Sequence, residues 1–305
     1  MCNPLYSAYF TTEKKDRLTV IDVLRNSNEG TFLLNDEAFA LLRSLRVSAR
    51  VISQLRCLPH EQALSESAFA GLLNQHLPDL GPQQRSRILD AAAIAAYHAQ
   101  TGFPVVELLI CDDAPQFKLV TDELALCWIH EGRHYKKLIP HVAYHHQLRD
   151  DFLTRYWGFY GRLLVYRGHP TGEGHTRLAG EFDELFSTET GYDALDEHIA
   201  KTKAKKESML MVLAHPEIPL HNNSAELAAR KRVRRRKISF GTRSEDGTKA
   251  WDTFATLEAT AKKLGASFYE YIYDRIADAY KMPSLADLIS RQAEHLRLGA
   301  SWLPP

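Results

Sequence analysis

The chain has 305 residues, 45% hydrophobic and 25% charged, with 38 lysines plus arginines against 38 aspartates plus glutamates. That balance excludes a disordered chain and supplies apolar material for one large domain or two ordinary ones. With zero formal net charge the global field names no partner, so any nucleic-acid signal has to be local.

Four cysteines, Cys2, Cys57, Cys111 and Cys127, form no CxxC pair and no disulfide framework. No apolar run reaches about 18 residues. The opening "MCNPLYSAYFTT" lacks the basic flank and long apolar stretch of a secretory signal. A reducing, cytoplasmic setting is the expectation.

In chain order, residues 4–12 read as a strand, with Tyr6, Ala8 and Phe10 on one face and Ser7 and Tyr9 on the other. "KKDRLTVIDVLRN" suits an amphipathic helix through Leu18, Ile21, Val23 and Leu24, and "TFLLND" (31–36) a short strand or turn. From Glu37 to about Gln100 the pattern is helical. Its clearest piece has Pro82 near the start, Gly102 past the end, and a stripe of Ile88, Ala91, Ala92, Ala95 and Ala99. "VVELLI" (105–110) reads as a strand buried on both faces. "LALCWIHEGRHYKKLIP" (124–140) reads as a second core strand or the start of a helix, 146–166 as an aromatic-rich helix, and 176–213 as one or two more. Three capped helices close the chain. The first, 248–264, stops at Gly265, and Ser267 with Glu270 and Ser284 with Asp287 make capping boxes for the other two. The class is α/β, rich in helix.

Four constellations carry chemistry. Asp112 and Asp113 follow a buried strand, where ligand sites of α/β sheets lie. They suit magnesium, and equally a turn, since Asp-Asp-Ala-Pro is good turn chemistry. Glu226 falls three residues after Asn223, a pattern for a helix cap, and also projects from a fixed first turn where a carboxylate is favoured. The block Arg230, Lys231, Arg232, Arg234, Arg235, Arg236 and Lys237 points all round a helix, leaving no apolar face to bury. It has to be exposed or paired with anions, and phosphate is the expected partner. "ISFGTRSEDGT" reads as a strand and a glycine turn that place Arg243 and Lys249 on the same side. The histidine pairs His130/His134 and His141/His145, with His146, have helical zinc spacing. However, "HEGRH" is interrupted by Gly132 and lacks a third ligand, so hydrogen-bonding or surface histidines are expected.

"ELLICDDAPQF", "LCWIHEGRHYKKL" and "PLHNNSAELAARKRVRRRKISFGTRSEDGTKAWDTFATLEATAKKLGASFYEYI", in that order, resemble the transposases of the bacterial insertion-sequence-sixty-six group. The resemblance runs from near Asn3 to about residue 280. It implies an RNase H-like fold and a DDE triad whose carboxylates hold two magnesium (or manganese) ions for strand cleavage and transfer on insertion-sequence DNA. By position it makes Asp112 the second acid and Glu226 the third, with Asp113 a nearby metal ligand. The basic block and Arg243 become DNA contacts. Cys127, Trp128, His130 and Arg133 match a family segment of structural or DNA-proximal role, and Asn222 and Asn223 match the asparagine pair.

Two departures stand out: His221 where the family usually has aspartate, and Leu227 where it usually has arginine. The family's first aspartate lies on a strand before "NPLYSAYF", and Asp16 and Asp22 sit in a helical segment. The expectation is therefore a truncated DDE transposase with an incomplete RNase H-like core. Its segments would be core remnants in 1–36, a helical insertion in 37–103, the central core strand in 104–145, a helical region in 146–218, and the third acid, basic segment and helical tail in 219–305. It would act poorly alone, partnered by DNA, a second copy or a full-length transposase. The alternatives are a non-catalytic DNA-binding protein or inhibitor, and a repurposed nuclease using Asp113.

Overall fold

The computed structural model describes residues 1–26 and 29–296, in two compact units. One unit holds Thr12–Leu109 and Asp113–Leu124. It opens with α1 (Arg17–Arg25), capped by Asp16, whose carboxylate accepts from the Thr19 N–H at 2.9 Å. β1 (Thr31–Phe32) pairs antiparallel with β2 (Leu64–Ser65); α2 (Asp36–Ser44) and α3 (Ala49–Leu55) lie between them in the chain. α4 (Glu66–His76) and α5 (Pro82–Ala99) follow. α5 has Pro82 in its first turn, where the missing N–H is harmless. Its buried face is Ile88, Ala91 to Ala96 and Tyr97. The alanines keep it thin, so α1, α2 and β1 pack directly against it.

His98, near the end of α5, is held by Glu37 through Nδ1 at 2.5 Å and by the Val120 carbonyl through Nε2 at 2.9 Å. The Glu37 hydrogen bond, outweighing burial, raises the His98 pKa above its ordinary value of 6.5. A raised folded-state pKa gives stability that is complete below the unfolded value and is lost as pH rises through the folded one. Glu37→Gln is therefore expected to destabilise this unit most below the ordinary value of 6.5 and progressively less as pH rises through the raised one. Equal destabilisation across that range, in thermal melts at stepped pH, would show that His98 does not titrate against Glu37.

β3 (Leu108–Cys111) and β4 (Glu123–Leu126) carry the chain between the units. Glu123 N–H donates to the Glu107 carbonyl and Cys127 N–H to that of Cys111, both at 2.9 Å. The offset between partners is the same at both ends, the pattern of a parallel pair.

The second unit holds Met1–Thr11, Ile110–Asp112 and the chain from Ala125 on. Its helices are α6 (Trp128–Lys137), α7 (Ala143–Gly168), α8 (Gly172–Leu185), α9 (Asp193–Lys203), α10 (Lys206–Met209), α11 (Asn223–Ser239), α12 (Glu245–Lys263), α13 (Phe268–Ile276) and α14 (Leu285–Leu296). Trp128, Tyr135, Tyr156, Phe159, Phe182 and Phe186 fill its core. Ser267 and Ser284 cap α13 and α14 as their spacing predicts, accepting from the N–H of Glu270 at 3.3 Å and of Asp287 at 3.0 Å.

Three expectations change. Residues 4–12 form no strand: residues 4 and 5 bend, and Ser7 makes an isolated antiparallel bridge with Cys2. Their N–H groups at Ser7, Tyr9 and Thr11 donate to Thr260 Oγ1, Thr256 Oγ1 and Asp252 Oδ2, at 3.3, 3.0 and 2.6 Å, along α12. Two residues of extended chain advance about 6.6 Å and four of helix about 6 Å, so alternate N–H groups meet every fourth helix residue. Next, "ISFGT" is not a strand, because α11 runs on to Ser239 and a turn follows. Lastly, Gly132 does not interrupt α6. A Cβ there would stand 2.6 Å from the Trp157 ring, so glycine lets α7 approach.

The helix-rich α/β class holds. Among the described residues the sheets are two two-stranded pairs, β1–β2 and β3–β4, and a many-stranded RNase H-like sheet is not among them. The two units also divide the chain differently from the five segments read in sequence, placing 12–36 with the helical stretch. No described helix is long and apolar enough to cross a membrane.

Candidate nucleic-acid interface

α11 begins without a conventional cap. Asn222 rather than Asn223 takes the N-cap position, with no side-chain cap bond, and its buried Oδ1 has no hydrogen-bond partner in the structure. His221 substitutes through Nδ1, which accepts the Asn223 N–H at 3.4 Å. Glu226 therefore does not complete a capping box. Its carboxylate is held by Arg133 of α6 at 3.2 Å and by Arg230 one turn on at 3.5 Å.

Past Glu226 no residue of α11 is buried. The block divides into engaged and free cations. Arg232 is mostly covered, donating to Thr11 Oγ1 at 2.6 Å, pairing with Asp252 at 3.0 Å and lying over the Trp251 ring at 3.8 Å. Lys231 and Arg235 share Glu258 at 2.8 and 3.1 Å, and the two cations lower its pKa. These bonds tie α11 to α12, so the expected DNA contacts at Lys231, Arg232 and Arg235 are already engaged internally. Arg234, Arg236, Lys237 and Arg243 are exposed and carry no ion pair. Lys249 pairs with Glu245 at 2.7 Å.

The acids after β3 separate. Asp113 has a left-handed backbone (φ 38°) and an ion pair to Lys118 at 2.9 Å, the turn alternative. Asp112 is half-buried at the end of β3, with no hydrogen bond or ion pair on its carboxylate. Among the described residues no group of three histidines, cysteines, aspartates or glutamates is placed to hold a metal ion.

The family segment supports this surface from beneath. Buried Cys127 caps α6, its Sγ accepting the His130 N–H at 3.4 Å. Trp128 is fully buried. Glu131, which sequence reading passed over, is the hub of a buried network: Lys205 at 2.7 Å, Thr202 Oγ1 at 2.5 Å and His198 at 3.7 Å. His130 and His134 stack edge-on at 4.9 Å, and His134 meets His198 at 5.4 Å. Burial pushes the His134 and His198 imidazoles below their ordinary pKa, against the pull of Glu131. His145 stacks on Tyr192 at 4.4 Å. His130, His134, His145 and His198 are ring partners.

α11 carries cations round its C-terminal half, and none of its residues is buried. Comparison with known proteins is specific. Residues 94–250 match the transposase IS66 family. The chain is also 34% identical over 291 residues to the uncharacterized protein y4jO of Sinorhizobium fredii (strain NBRC 101917 / NGR234), covering 94% of this chain and 89% of that one. The chain belongs to the IS66 transposase family. No solved structure matches it.

Proposed function

We propose that this transposase-family protein binds DNA along α11, holding the backbone with Arg234, Arg236, Lys237 and Arg243. One observation carries the reading: these four cations remain exposed and unpaired after the rest of the block is engaged by Asp252, Glu258 and Glu226. Four phosphate contacts make log affinity fall with log salt at a slope of about −3.6, roughly a hundredfold between about 50 and 200 mM. The triple variant R234E/R236E/K237E is expected to remove about three units of that slope, read by fluorescence anisotropy on a labelled duplex. A wild-type affinity indifferent to salt would sink the reading.

The strand chemistry of the family needs carboxylates gathered around magnesium or manganese. Of the acids the resemblance nominates, Asp112 and Glu226 lie in the same unit. As placed they do not build that site: among the described residues no three metal-ligating side chains gather, Glu226 is ion-paired to two guanidiniums, and Asp113 turns to Lys118. DNA binding without efficient cleavage is the reading the geometry favours. Strong metal-dependent nicking, lost in both Asp112→Asn and Glu226→Gln, would overturn it in favour of a catalytic transposase.

A further inference from the structure

α11 ends in an unusual turn. After Ser239, Phe240 adopts φ 58° and ψ 15°, and Gly241 follows at φ 81°. The left-handed conformation suits glycine and is rare for an aromatic residue, whose Cβ crowds the backbone. The turn is closed on its far side, where Ser244 accepts the Gly247 N–H at 3.1 Å and the Thr242 and Thr248 hydroxyls meet at 2.5 Å. On its near side the Arg236 stem lies 3.5 Å from where a Cβ of Gly241 would be.

This turn presents apolar side chains to water. Phe240 is 94% exposed and Ile238 81%, the two most exposed of the large apolar side chains described. The unpaired cations Arg234, Arg236 and Lys237 precede them, and Arg243 follows. A phenyl ring held outward between free cations matches a partner that offers charge and an apolar face together. Duplex DNA does so at a base step, where proteins insert Phe, Leu, Ile or Met between bases while cations hold the flanking phosphates. An anionic membrane is the weaker match, because a helix lying in a bilayer surface needs an apolar face and α11 has cations all round.

We infer that Phe240, two residues after the exposed Ile238, is a wedge that enters a base step of duplex DNA bound along α11. The inference rests on the DNA-binding reading of α11 and adds what the tip of that helix does.

The test uses full-length protein and short duplexes carrying 2-aminopurine, scanned across all positions. Binding is expected to raise 2-aminopurine fluorescence at a subset of positions, as that base unstacks. Phe240→Ala is expected to abolish the rise and weaken binding about tenfold, the scale of a lost base–aromatic stack, while leaving the salt slope unchanged. Phe240→Trp is expected to restore both, and matched circular dichroism melts establish that the variants fold. Salt-dependent binding with no fluorescence rise, or a rise that survives in Phe240→Ala, overturns the wedge and leaves the α11 reading standing. Absence of salt-dependent binding overturns both. Phe240-dependent sedimentation with phosphatidylglycerol vesicles, without a 2-aminopurine response, assigns the tip to a membrane surface and overturns the wedge.

Discussion

Replacing Lys205 with methionine is expected to lower the unfolding free energy of the larger unit by about 3–5 kcal/mol. The carboxylate of Glu131 is 4% exposed and its ion pair with Lys205, 2.7 Å long, spans α6 and the segment after α9. Taking away the ammonium leaves a charge with the Thr202 hydroxyl and His198 as its remaining partners. An uncompensated buried charge destabilises far more than the intact pair stabilises. The double variant E131L/K205M, which removes both charges, is therefore expected to recover much of the loss. Trp128, Trp157 and Trp251 all lie in this unit, so tryptophan fluorescence in a urea titration follows its unfolding. A Lys205→Met loss below about 1 kcal/mol would mean that water reaches Glu131 in solution. The stakes extend to α11. Arg133, which holds Glu226, sits two residues beyond Glu131 on α6, so the buried pair fixes the helix whose outer face meets the start of the basic helix.

How much of this was legible beforehand follows from the range of the interactions involved. The caps at Ser267 and Ser284 and the proline start of α5 rest on contacts within one turn, and the sequence carries them fully. The alternation read over residues 4–12 survives only in the alternate N–H groups of Ser7, Tyr9 and Thr11, and it did not name their neighbour. The neighbour is a helix some 250 residues away in sequence, with |i−j| of 253 for Ser7 to Thr260. Composition identified the basic block as exposed or anion-paired, yet could not apportion it. Trp251, Asp252, Ala255 and Glu258 recur at helical spacing in the next helix, a stripe that would have nominated the internal partners. Glu131 was hidden by its company: between histidines and beside Gly132 it reads as part of a polar surface, and only tertiary packing shows the glycine admitting Trp157 while the acid turns inward. Of the resemblance-derived acids, Asp112 and Glu226 fall in one unit and Asp113 in the other, a division no local pattern announces.

Trp128→Ala is expected to be the most damaging single truncation, costing about 3–5 kcal/mol. The indole is fully buried, with ring centroids 5.3 Å from Tyr156, 5.5 Å from Phe159, 6.3 Å from Phe182 and 6.4 Å from Phe186. Alanine would leave a cavity that four aromatic rings on α7, α8 and the residue after α8 cannot collapse to fill. Trp128 also makes three polar bonds: Nε1–H to the Met209 carbonyl at 2.8 Å, backbone N–H to that of Leu220 at 3.0 Å, and its own carbonyl to the Tyr156 hydroxyl at 2.7 Å. Trp128→Phe keeps most of the volume and the backbone bonds but orphans the Met209 carbonyl, so about 1–3 kcal/mol is expected. The two variants separate cavity from hydrogen bond, and near-equal losses would assign the effect to the bond at Met209. Because Leu220 lies two residues before the N-cap of α11, Trp128 also anchors the start of the basic helix. That bond runs through the backbone N–H, which both variants keep, so DNA affinity, measured where each variant is fully folded, is expected to hold in both. A fall with Trp128→Ala alone would mean that the indole itself positions α11, beyond the backbone bond at Leu220 and the ties to α12 through Arg232, Lys231 and Arg235.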